Sequence, residues 1–154
     1  MISYWEDADM RHNHHAKIHR INCLSGDLNA LYHQAALKLG ISDSAMFVLY
    51  MLHYKGDGCL LFDICQESGI SKQTINSTLR KLEADGILYL ENDRGRTKRV
   101  CLTEKGKAYV AQTGARLFEA ECRTFDDWTE DEIDRYLALM EKYNRSFSAQ
   151  IEKM

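Results

Sequence analysis

The chain has 154 residues, a formal net charge of −3, 45% hydrophobic and 28% charged residues, which suits one folded domain and excludes a disordered, charge-swollen tail. It holds no proline, where average usage would place about eight, and this argues for long unbroken helices and against collagen-like or proline-linker designs. Its longest wholly apolar run, Ala45–Leu52, is far short of the ~20 residues of a membrane-spanning helix.

The acidic start, Met1 to Asp9, is not a secretory signal. Over residues 15–39, Ile18, Ile21, Leu24, Leu28, Leu31, Ala35 and Leu39 recur at steps of three and four, which predicts a helix that Gly40 stops. Ser42 caps a second helix through Ala45–Leu52, and Gly56-Asp-Gly58 ends it. A short helix follows from about Leu60 to Ser68, broken at Gly69. Ser71 caps the next, whose Ile75, Leu79 and Leu82 form an apolar stripe, and Asp85-Gly86 ends it. Ile87–Glu91 reads as a strand, Asn92–Thr97 as a turn around Gly95, and Lys98–Leu102 as the return strand, together a β-hairpin. Thr103 caps a long helix expected to run to about Arg123. Thr129-Glu-Asp-Glu132 is a capping box, and the last helix carries Ile133, Leu137, Met140, Tyr143, Phe147 and Ile151, close to a coiled-coil seam.

Charge is unevenly spread along this order. Residues 71–107 hold nine Lys or Arg and five Asp or Glu, against eleven and eighteen in the rest. A basic segment inside an acidic chain is an electrostatic footprint for nucleic acid when it folds onto one face. With the buried stripe of the Ser71-capped helix set at 0°, Asn76 falls at about 100°, Arg80 at about 140°, Gln73 at about 160° and Ser77 at about 200°. These four share the exposed face, and Gln, Asn and Arg are the side chains that pair with base edges in the major groove. Ser71, Lys72 and Thr74 stand at the helix start, where backbone N–H groups favour a phosphate. Arg94 and Arg96 flank Gly95 at the hairpin tip and suit a narrow minor groove, while Lys98 and Arg99 suit phosphates.

The segment Ile64-Cys-Gln-Glu-Ser-Gly-Ile-Ser71, the helix Lys72–Leu82, Glu83-Ala-Asp-Gly-Ile-Leu88 and the hairpin closing in Leu102-Thr-Glu-Lys-Gly106 together resemble the winged helix-turn-helix of MarR-type transcriptional regulators. The likeness is strong over residues 41–107. It implies a mainly α fold with a small β-hairpin wing. Within residues 1–154 as one domain, residues 41–107 would be the DNA-binding lobe, and residues 15–39 and 108–151 the helices of a homodimer. It further implies a cytoplasmic regulator, expected to be a repressor, on a palindromic double-stranded operator. A small, often aromatic effector would lie between lobe and dimer helices, with Tyr32 and Tyr54 as guesses. An Asp near the wing tip braces an Arg in the family, here Asp93 with Arg96; this wing is shorter than many, which leaves the register of Arg94 against Arg96 open. The pattern departs at Cys59 and Leu60, where a Ser or Thr cap is usual, and at Ser68, where an apolar residue is usual.

Two other readings stay open: an oxidant-sensing regulator using Cys23, or a winged-helix module that binds protein instead of DNA. The five cysteines are an odd number without C-x-x-C spacing, which speaks against a disulfide scaffold or a Cys-based zinc site and fits reduced thiols. Cys23 is expected to be a small buried hydrophobe. His12, His14, His15 and His19 crowd one segment but are expected to be solvated, so neither metal nor cofactor is predicted. No nucleophile elbow, phosphate loop or H-E-x-x-H motif occurs, and the acidic run Glu119–Asp134 reads as solvated surface, so no enzyme is expected.

Overall fold

The computed structural model describes residues 4–154 except 57, 94 and 96, and for residues 4–13 the backbone alone. In chain order it runs α1 (Tyr4–Leu39), α2 (Asp43–Lys55), β1 (Cys59–Leu60), α3 (Leu61–Glu67), α4 (Lys72–Ala84), β2 (Leu88–Asn92), β3 (Lys98–Leu102), α5 (Glu104–Gln112), α6 (Gly114–Thr124) and α7 (Glu130–Ile151). It divides into two compact units, residues 1–115 and 116–154. Helix α1 begins eleven residues before the apolar spacing predicts, because polar residues without helix breakers extend it.

Helices α2 to α4, the sheet and α5 enclose one core in the first unit. Leu49, Leu52, Ile64, Ile75, Leu79, Leu88, Val48 and Val100 are its largest fully buried side chains. The caps form where the sequence places them: the Ser42 side chain accepts from the N–H of Ala45, and that of Ser71 from the N–H of Thr74. Lys55 ties α2 to α3 through Glu67 and, at 3.6 Å, Asp63.

The wing is a three-stranded sheet of order β1-β3-β2 rather than a bare hairpin. Cys59 and Leu60 pair antiparallel with Val100 and Arg99. This accounts for the missing cap at the start of α3: Leu60 stands at the N-cap position with no side-chain cap bond, because it serves an extended ladder instead.

The sequence Leu102-Thr-Glu-Lys-Gly106 is a structural joint. The Thr103 hydroxyl donates to the carbonyls of Gly86 and Ile87, at 2.7 and 3.1 Å, and accepts from the N–H of Gly106 at 2.9 Å. A Cβ on Gly106 would stand 1.8 Å from the Ile87 carbonyl oxygen, so only glycine lets α5 pack this close to β2. The single helix predicted from Thr103 to Arg123 is two helices. The Thr113 hydroxyl donates to the carbonyl of Tyr109 at 2.7 Å, its φ of −126° and ψ of −90° leave the helix, and a Cβ on Gly114 would meet the Leu49 carbonyl group at 2.5 Å. The chain bends there because backbone packs directly on backbone.

At the end of α1, Ala36 is fully buried, and the carboxylate of Asp43 at the start of α2 lies 3.0 and 3.1 Å from His33 Nδ1. Ile18, Ile21, Leu24, Leu28 and Leu31 remain exposed. In the second unit Trp128 meets Phe125 and Tyr136 edge-on, with ring centroids 5.2 and 5.7 Å apart. The capping box of α7 closes as predicted, with Thr129 N–H donating to Glu132 at 2.8 Å. No residue of α7 is buried.

Candidate nucleic-acid interface

Helix α4 is held from behind. Ile75, Leu79 and Leu82 are buried in the core. The Thr78 hydroxyl, also buried, shares a 2.8 Å hydrogen bond with Ser44 of α2. At its far end Lys105 donates to the carbonyl of Asp85 at 2.7 Å. The turn before it is set by Ser68, whose hydroxyl accepts from the N–H of Ile70 at 3.0 Å and contacts the carbonyl of Cys65 at 3.2 Å. A serine therefore works at that departure from the family pattern, by replacing packing with turn hydrogen bonds.

With its back fixed, α4 presents Lys72, Gln73, Thr74, Ser77 and Arg80 to solvent, Asn76 half-buried beside them, and Ser71 exposed at the cap. The length and polarity of this face suit the floor of a major groove.

At the wing, Asp93 N–H donates to the carbonyl of Thr97 at 2.8 Å, and Gly95 takes a φ of +85°, the left-handed conformation glycine adopts freely. Asp93 pairs with Arg99, Nε to Oδ1 at 3.4 Å. Arg94 and Arg96 lie outside the described residues, and with them the expected Asp93–Arg96 brace. The Arg99 guanidinium also donates from Nη1 to the carbonyl of Gly58 at 2.7 Å. Arg99 therefore joins the wing base to the turn before β1, a role the sequence did not announce because its partners lie 6 and 41 positions away. Lys98, next to it, is exposed.

The cysteines sort differently from expectation. Cys59 and Cys101 are buried in the sheet and Cys65 is half-buried, whereas Cys23 and Cys122 are exposed. Burial pushes the Cys59 thiol above its ordinary pKa. Cys23 is exposed rather than buried, as is every residue of α1 from His14 to Leu31, because this stretch packs against no described part of the chain.

Tyr32 is half-buried on α1, and Tyr54 is exposed on the last turn of α2. A cleft of about 340 Å³ opens instead beside α4, lined by Ile41, Ser42, Ser77, Lys81 and Tyr109 among others. Neither Tyr32 nor Tyr54 lines it.

Comparison with known proteins matches this architecture. Residues 39–99, from the last residue of α1 into β3, match the model of the MarR family. Over this segment the chain is similar to the MarR family. Among solved structures, a MarR-family transcriptional regulator from Silicibacter pomeroyi is 28% identical, with 80% of this chain and 84% of that one covered and a TM-score of 0.64. A MarR-family regulator from Neisseria meningitidis shares the fold at 20% identity, with 89% and 97% covered and a TM-score of 0.78. So does MepR of S. aureus, solved as a DNA complex, at 22% identity, 82% and 93% coverage and a TM-score of 0.65. No curated protein matches the chain. MarR-family proteins are DNA-binding transcriptional regulators rather than enzymes, and the three-stranded wing beside α4 is the family's architecture.

Proposed function

We propose that this chain is a MarR-type homodimeric repressor that holds a palindromic operator and releases it when a small molecule binds. The observation that carries the reading is the fixed, polar outer face of α4. Gln73, Asn76, Ser77 and Arg80 read base edges in the major groove. Ser71, Lys72 and Thr74 hold a phosphate at the helix start. Arg94 and Arg96 enter the minor groove, Lys98 takes a phosphate, and Asp93 with Arg99 keeps the wing in position. Residues 41–107 form the DNA-binding lobe.

The terminal segments, residues 15–39 and 108–151, serve the dimer. The exposed apolar residues of α1, and Leu137, Met140, Tyr143, Phe147 and Ile151 on α7, await a second copy. Two-fold symmetry then places two copies of α4 in half-sites about one DNA turn, ~34–36 Å, apart. Among the described residues no single helix is long and apolar enough to cross a membrane, and the chain works in the cytoplasm, where its thiols stay reduced. CouR of Rhodococcus jostii, 17% identical with a TM-score of 0.61, was solved with p-coumaroyl-CoA, which supports a small aromatic effector. Tyr32 and Tyr54 are the candidate contacts.

The deciding experiment is selection of genomic fragments with the purified full-length chain. The expected result is enrichment of a palindrome bound with steep salt dependence. Absence of salt-dependent binding to any duplex overturns the reading in favour of a protein-interaction module.

A further inference from the structure

Helix α4 turns its apolar stripe, Ile75, Leu79 and Leu82, into the core. Apolar burial rewards area and is non-directional. It resists withdrawal of the helix more than a small roll about the helix axis. Base reading depends on that roll. A side-chain end stands about 6 Å from the axis, so a turn of about ten degrees carries it through about 1 Å, enough to take a hydrogen bond out of range.

One flank of α4 is open. With the stripe at 0°, Thr78 lies at about 300°, Lys81 at about 240° and Ser77 at about 200°. These three line the cleft of about 340 Å³, with Ser42 and Ala45 of α2 facing them. Close packing therefore does not brace the helix on this side. A hydrogen bond crosses beside the gap instead: Thr78 Oγ1 and Ser44 Oγ are 2.8 Å apart. Thr78 is buried and Ser44 is half-buried. The bond is directional and is attached to α4 off the centre of the stripe, so it opposes roll. Its anchor is itself held. Ser44 follows Asp43 in the first turn of α2, and the Asp43 carboxylate meets His33 of α1 at 3.0 Å.

We propose that Ser44 and Thr78 are positioning residues that set the roll of α4, and through it the alignment of Ser77 and Arg80 with the bases. The inference rests on the reading of α4 as the helix that enters the major groove. Thr78 is buried and acts through its neighbours in the helix, not by touching DNA. Loss of the bond therefore acts on sequence reading. Phosphate contacts carry no sequence information, and the flexible stems of Lys72 and Lys98 follow a phosphate through a small roll. Affinity for the operator falls, while affinity for unrelated DNA does not.

The test measures fluorescence anisotropy of the purified full-length chain on the duplex recovered by genomic selection and on an unrelated duplex of equal length. Thr78→Val and Ser44→Ala are each expected to weaken the operator by about tenfold, the scale of one base-reading pair, and to leave the unrelated duplex unmoved. Thr78→Ser, which keeps the hydroxyl, binds as the wild type does. The double variant Ser44→Ala with Thr78→Val leaves neither hydroxyl without its partner. Its urea midpoint stays near that of the wild type, while the operator loss persists at about tenfold rather than adding. The proposal is overturned if the double variant keeps the wild-type ratio of operator to unrelated affinity, if Thr78→Ser loses as much as Thr78→Val, or if the two single losses add in full. A wild-type chain that selects no duplex overturns the DNA-binding reading and this one with it.

Discussion

Helices α4 and α7 are written in the same rhythm and end in opposite states. Ile75, Leu79 and Leu82 of α4 are spaced by four and three and are buried. Ile133, Leu137, Met140, Tyr143, Phe147 and Ile151 of α7 are spaced by four and three too, yet α7 buries nothing. A periodic apolar stripe declares a face; only a partner closes it. For α4 the partner lies in the same lobe, chiefly α2 and β2. The apolar seam of α7 stays exposed along its 22 residues, and the proposed homodimer would cover it.

The contrast can be broken most strongly at the joint that shuts the lobe. Gly106→Ala drives a methyl into the Ile87 carbonyl and is expected to destabilise the lobe by more than about 3 kcal/mol, read as a lowered urea midpoint. Next comes a matched pair of leucine truncations. Leu79→Ala should lower stability by about 3 kcal/mol without altering the mass of the assembly. Leu137→Ala should weaken self-association in sedimentation equilibrium and leave the lobe's own unfolding nearly unmoved. Equal effects from the pair would erase the distinction drawn between the helices.

Smaller effects sharpen the outer face of α4. Arg80→Ala should cost about 1–3 kcal/mol in operator affinity and relax base preference at one position. Lys98→Ala should weaken all sequences alike and flatten the salt slope by about 0.9 per protomer, about 1.8 for the dimer. Both are measured by fluorescence anisotropy across a salt series.

The smallest expected effect is at the start of α7. The backbone N–H of Thr129, and then its hydroxyl, hold the Glu132 carboxyl below the ordinary carboxylate range. A group whose folded pKa is depressed adds stability that is present above its unfolded pKa and is lost as pH falls through the folded one. Fraying of α7 should therefore begin as pH drops below the ordinary glutamate value of 4.5, and Glu132→Gln should remove that pH dependence, as followed by far-ultraviolet dichroism.

Local chemistry was legible and remote chemistry was not. Ser42, Ser71, Thr103 and Thr129 announce their helices because a cap needs only three following residues, and Lys98–Leu102 is a strand at the predicted bounds. Strand β1 escaped notice because two residues carry no alternation, and its partner is some forty positions away. The break before Gly114 needs knowledge of where Leu49 sits. The exposed face of α4 follows from angle alone, with Asn76 at its edge half-buried as its 100° position suggests. The tie from Arg99 to Asp93 and Gly58 depends on strand register.

The length of α1 has a mechanical consequence. Its 36 residues make a rod about 54 Å long, rooted at the lobe by Ala36 and by His33 against Asp43. One degree of tilt at that root sweeps the far tip through about 1 Å, and the same leverage acts in reverse. A rod of this length ties a large displacement at one end to a small rotation at the other, and the α1–α2 corner would be the fulcrum of any such rotation.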